Sequence, residues 1–94
     1  MNIPVVIEAL KELSYWLSDS KLNKERVTQI IDELENPNIS MQQLQKLKFE
    51  LSTKMLFHPK CLGDICVLDF VGDGSAYAWW NYLEKVAEIC QKNL

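Results

Sequence analysis

The sequence predicts an all-α protein, a small bundle of about four helices with an irregular apolar segment before the last one. Three observations lead there. Apolar residues recur at helical spacing in four stretches, and turn or cap residues separate those stretches. The β-prone run Ile65-Cys66-Val67-Leu68 finds no partner strand elsewhere in the chain. With no credible sheet, amphipathic helices joined by short links bury their apolar faces against one another.

The first helix opens at Pro4, whose missing N–H has no helical partner in a first turn. Val6, Leu10, Leu13 and Leu17 form its apolar stripe, widened by Ala9 and Trp16, and the pattern stops at Ser18-Asp19-Ser20. Asn23 is the expected N-cap of the second helix, where Val27, Ile30, Ile31 and Leu34 follow the i, i+3, i+4, i+7 rule. Asn36-Pro37 ends it, since a residue before proline is pushed out of the α region. Ser40 followed by Gln43 is a capping-box signature for the third helix. Leu44, Leu47, Leu51 and Met55 continue that helix, and Pro59 forces an end near Phe57.

Residues 60–74 fit no single pattern. The Ile65–Leu68 run, followed by Phe70-Val71, reads as a short helical turn or an extended segment packed over the bundle, with a strand as the alternative. Gly72-Asp73-Gly74 is a turn, and Ser75 is a good N-cap for a fourth helix that runs to the C-terminus. Trp79, Leu83, Val86 and Cys90 make its main stripe, with Trp80, Ala87 and Leu94 beside it. The expected core is therefore Leu10, Leu13, Leu17, Val27, Ile30, Leu34, Leu44, Leu47, Leu51, Leu83 and Val86.

A chain of 94 residues makes one domain, and 48 % hydrophobic with 24 % charged residues excludes wholesale disorder. No segment approaches the run of about 18 apolar residues that crosses a bilayer. The start, Met-Asn-Ile-Pro, lacks a basic region, so no signal peptide is expected. Three cysteines, an odd number, argue against a disulfide framework and for a reducing compartment. The expected location is cytoplasmic.

No residue set carries a catalytic or cofactor pattern. His58, Cys61, Cys66 and Cys90 are chemically a zinc set, but the spacing lacks the paired C-x2-C of structural zinc sites. Cys61 and His58 lack a third group to orient the imidazole, so a nucleophilic pair is not expected. Asp64, Asp69 and Asp73 are spaced by five and four, which does not match a calcium loop. Gly63, Gly72 and Gly74 are followed by no Lys-Ser/Thr, so they do not form a phosphate loop. The expectation is a protein that is not an enzyme and needs neither cofactor nor metal.

Charge is unevenly distributed. Residues 1–61 carry eight acids and eight bases, so the net charge of −3 arises in the C-terminal third. There Asp64, Asp69, Asp73, Glu84 and Glu88 face Lys85 alone up to residue 90, with Lys92 returning one unit. The same stretch holds Phe70, Tyr77, Trp79, Trp80 and Tyr82. Acids steer an encounter with a basic protein and aromatics supply anchor area, whereas phosphates are repelled. The expected partner is thus a basic protein rather than nucleic acid or membrane, contacted by Asp64, Asp69, Asp73, Tyr77, Trp79, Trp80, Tyr82 and Glu84. Trp79 and Trp80 sit about 100° apart on a helix, so both rings cannot occupy the centre of one core stripe. One belongs to the core and the other to its boundary or to the surface. The plain alternative is that both pack on the bundle edges and the acids form a solvated face.

In size, acidity, helical patterning and this acid–aromatic cluster, the chain resembles the immunity proteins of bacterial toxin systems, those paired with nuclease colicins or with contact-dependent growth inhibition toxins. Helical colicin immunity proteins carry acids with a tyrosine pair on a short third helix. The nearest parallel here, Asp69-Phe70-Val71-Gly72-Asp73, lacks the tyrosines, and the aromatics fall at Tyr77, Trp79, Trp80 and Tyr82. The resemblance implies an inhibitor that binds, as a monomer, the basic toxin domain of a larger secreted protein, a nuclease among the options, and occludes its active site or substrate surface. The alternative is an adaptor, chaperone or regulatory subunit that holds a partner on exposed apolar surface.

Overall fold

The computed structural model describes residues 2–17, 21–57 and 76–94, with the backbone alone at Ala76 and Tyr77. Among the described residues the fold is all-α, with helices α1 (Ile3–Trp16), α2 (Lys21–Glu35), α3 (Met41–Glu50) and α4 (Ala76–Asn93) and no strand. Residues 58–75, with the apolar run and the expected cap Ser75, lie outside the described part.

Pro4 sits in the first turn of α1, where its ring fits and no N–H is needed. The N–H of Asn2, just before α1, donates to the Asn93 carbonyl at 2.9 Å, so the start of α1 meets the end of α4. Glu12 on α1 in turn acts electrostatically on Tyr82 of α4. Moving forward along α1 is therefore moving backward along α4, and the two helices pack antiparallel. At the end of α2, the Asn36 side chain accepts from the Asn38 N–H at 2.9 Å, a local turn that Pro37 makes easy. Ser40 then caps α3, its hydroxyl accepting from the Gln43 N–H at 3.1 Å, as the capping-box spacing implies.

All eleven expected core residues are buried, and Val6, Ile31, Leu56, Phe57, Trp79, Ala87 and Cys90 join them in one cluster. Each large apolar side chain taken out of water contributes about 1.5–3 kcal/mol before entropy is counted. No charged or polar residue is buried among those described.

Two expectations are corrected. Asn23 is not an N-cap, because it lies inside α2, which already includes Lys21 and Leu22. Both are good helix formers, and nothing in them stops the helix from reaching past Asn23. The third helix also ends earlier than its stripe suggests, at Glu50, with Leu51 leaving helical geometry at ψ 42°. Met55 consequently does not extend the stripe and is 42 % exposed. In a continued helix Leu56 and Phe57 would fall about 100° and 200° away from that stripe. Breaking at Leu51 lets both enter the core at the expense of one methionine. Ser52 and Thr53, weak helix formers, make the break easy. The Leu56 N–H returns to the Glu50 carbonyl at 3.0 Å and closes the turn.

Candidate functional site

Helix α4 has two faces of different character. Trp79, Leu83, Val86, Ala87 and Cys90 point into the core, and Tyr82 is half-buried with its ring stacked on Trp79 at 5.6 Å between centroids. Trp80, Glu84 and Glu88 recur every four residues on the opposite side and are exposed. The adjacent tryptophans divide as their spacing requires: Trp79 is 2 % exposed and Trp80 44 %.

Of the eight expected contact residues, Trp80 and Glu84 are thus on the described surface. Trp79 lies in the core, on the apolar stripe that the sequence assigns it with Leu83, Val86 and Cys90. Tyr82 presents only part of its ring, and burial, helped by the nearby Glu12 carboxylate, pushes its hydroxyl above the usual phenol range. Tyr77 falls within α4, and Asp64, Asp69 and Asp73 lie outside the described residues. Helix α4 itself is balanced, with Glu84 and Glu88 against Lys85 and Lys92. The acidic excess of the C-terminal third therefore resides in the three aspartates before the helix. Lys92 also bonds Glu88 at 2.7 Å and, chiefly through that hydrogen bond, holds its carboxyl below the usual range.

Beside this face lies an open groove of about 560 Å³. One wall is Phe49 with Ser52, Thr53 and Lys54, and the other is Glu84, Ala87, Glu88 and Gln91 from α4. The early end of α3 creates it. Gln91 fixes its width by donating from Nε2 to the carbonyls of Lys48 (2.7 Å) and Leu51 (3.1 Å), satisfying two orphan acceptors of the α3 C-terminus. Phe49 is 60 % exposed on the rim. Sequence reasoning missed this wall, although a signal existed: Phe49 falls off the Leu44–Leu47–Leu51 stripe, so helical geometry places it outward.

Among the described residues no three His, Cys, Asp or Glu side chains group as a metal site, and no helix is long and apolar enough to cross a membrane. The described cysteine, Cys90, is buried and free, its thiol pushed up to about 12 by burial, which makes it a poor nucleophile. His58, Cys61 and Cys66 lie outside the described part. No protein-family model matches the chain, and neither curated proteins nor solved structures give a significant match.

Proposed function

We propose that this protein is a stoichiometric inhibitor, an immunity protein that binds and neutralises a basic toxin, with a nuclease as the leading partner class. It acts inside a bacterial cell by occluding the toxin's active site or substrate surface, and it performs no chemistry of its own. The observation that carries this reading is Trp80, exposed on α4 directly after a chain segment with three aspartates and no base between residues 62 and 75. An aromatic anchor next in sequence to uncompensated acids supplies both contact area and long-range steering.

A second reading rests on Phe49, exposed on the groove rim, and on Met55, which is also exposed. They favour an adaptor or chaperone that holds a partner on apolar surface. Salt separates the two, because steering by carboxylates weakens as ionic strength rises and apolar docking does not.

The test is affinity capture from the source cell with the wild-type chain and a Trp80→Ala, Asp69→Lys variant as parallel baits. The inhibitor reading expects one basic protein at equal stoichiometry, lost from the variant, and toxic when expressed without this chain. A partner that is harmless alone, or that binds both baits equally, sinks it.

A further inference from the structure

We propose that the groove between Phe49 and α4 receives an arginine side chain from a basic protein partner, whose guanidinium bonds Glu84 while its stem lies on Phe49 and Ala87. The toxin as the source of that arginine rests on the inhibitor reading; the chemistry of the groove does not.

Glu84 is exposed and forms no ion pair among the described residues, whereas the next carboxylate along the face, Glu88, is engaged by Lys92. Both Nε2 hydrogens of Gln91 are spent on the α3 carbonyls, so its Oε1 remains as an acceptor. The groove thus sets two acceptors, the Glu84 carboxylate and Gln91 Oε1, on the α4 wall opposite the exposed Phe49 ring. A side chain with several donors at the tip of an apolar stem fits that description, and arginine has both. A lysine is a poorer match, since its ammonium cannot bond a carboxylate in the two-pronged manner of a guanidinium or stack as well on the Phe49 ring. Lys54 lies on the same rim and opposes any cation, which gives the proposal a second, oppositely signed handle.

The probe is the tripeptide acetyl-Leu-Arg-Leu-amide, titrated into the ¹⁵N-labelled full chain and followed by amide chemical shifts. Its lysine and citrulline counterparts serve as comparisons. Saturating shifts are expected at residues 49–54 and 84–91, with the citrulline peptide inert because it keeps the shape and loses the charge. Glu84→Gln and Phe49→Ala should each weaken binding by about fivefold or more, about 1 kcal/mol on the usual conversion, and Lys54→Glu should strengthen it. All three positions are exposed, and the variant spectra report directly whether the fold is kept. Shifts confined to residues 64–73, equal binding of citrulline, or indifference to Glu84→Gln overturns the proposal. A dimer in sedimentation that Lys54→Glu dissociates also overturns it, because the groove would then be filled by a second copy pairing Lys54 with Glu84. No toxin enters this experiment. Its failure leaves the capture result standing, and a failed capture with a positive titration removes only the toxin as the source of the arginine.

Discussion

Arg26 of α2 and Glu50, the last residue of α3, are joined by two parallel hydrogen bonds, Nε to Oε2 at 2.7 Å and Nη2 to Oε1 at 2.6 Å. A carboxylate at a helix C-terminus opposes the helix dipole, and the guanidinium offsets that cost. Hydrogen bonding to Glu50 raises the Arg26 guanidinium above its ordinary value, against a smaller effect of burial. The pair also fixes α2 to α3 at the point where the chain leaves helical geometry, so it holds one wall of the groove in place.

That pair should contribute modestly to stability. Both side chains remain partly exposed, at 38 % and 27 %, so solvent screens the attraction. A double-mutant cycle with Arg26→Gln and Glu50→Gln, read by urea unfolding, should give a coupling of about 1 kcal/mol that shrinks in high salt. A coupling within error of zero would assign the contact to geometry alone.

Leu47 and Leu83 lie in the shared core at 1 % and 2 % exposure. Truncating either to Ala should cost about 2–5 kcal/mol through lost transfer energy and the cavity left behind. Far-ultraviolet circular dichroism of the wild type should show a helical spectrum. Urea midpoints of the two variants measure the cost, and a loss under about 1 kcal/mol would mean that these residues do not share a packed interior.

The tryptophan pair should separate stability from recognition. Trp79→Ala opens the core and should destabilise by about 3–5 kcal/mol. Trp80 is 44 % exposed and keeps part of its ring against the fold, so Trp80→Ala should cost clearly less, about 1 kcal/mol or below. Its larger effect should appear in partner dissociation. Reversed behaviour of the two variants would invert the assignment of the α4 faces.

The regular part of this fold was legible because helical periodicity is a local property of the chain. The stripe Val27–Ile30–Ile31–Leu34 names its own buried face, and Ser40 and Pro37 mark their boundaries by backbone chemistry alone. The end of α3 was not legible, because it depends on a competition between Met55 and the pair Leu56 and Phe57 for a place in the core. Local spacing cannot weigh that choice. The groove followed the same rule: it exists because α3 stops at Glu50 and Gln91 bonds the carbonyls that the stop exposes. Neither event has a sequence pattern of its own. The division of Trp79 from Trp80 was half legible, in that geometry required it while only packing selects which ring is enclosed.

Stability should fall in alkaline solution. Burial pushes the Cys90 thiol up from 9.0 to about 12, and Tyr82 is likewise raised, by burial first and Glu12 second. Both groups are neutral when protonated, so the folded chain keeps protons that the unfolded chain gives up at lower pH. The associated stability is whole below about pH 9 and is lost as pH climbs toward about 12, by about 1.4 kcal/mol per pH unit for each proton retained. Urea midpoints measured from about pH 8 to about pH 11 should decline, and Cys90→Ala should flatten part of the slope. The same burial predicts that iodoacetamide leaves Cys90 unmodified in the native chain and alkylates it after denaturation, which peptide mapping reads directly. Native labelling at Cys90 would place its thiol at the surface.

On the inhibitor reading, the aspartates before α4 and its exposed aromatic should divide the work of binding. Asp69 and Asp73 belong to the uncompensated segment, so their charge reaches a basic partner before contact. Reversal to Lys should slow association and reduce its dependence on salt, with little change in the dissociation rate. Trp80→Ala should do the opposite, speeding dissociation by the equivalent of about 2 kcal/mol if the indole is a hot spot, while association stays nearly constant. The adaptor reading expects salt-insensitive rates governed by Phe49 and Met55 instead. Stopped-flow binding at low and high ionic strength, with the captured partner and these variants, resolves the two components separately. If Asp69→Lys and Asp73→Lys leave association unchanged, the aspartates serve only as a solvated face, and the inhibitor reading loses the steering on which it depends.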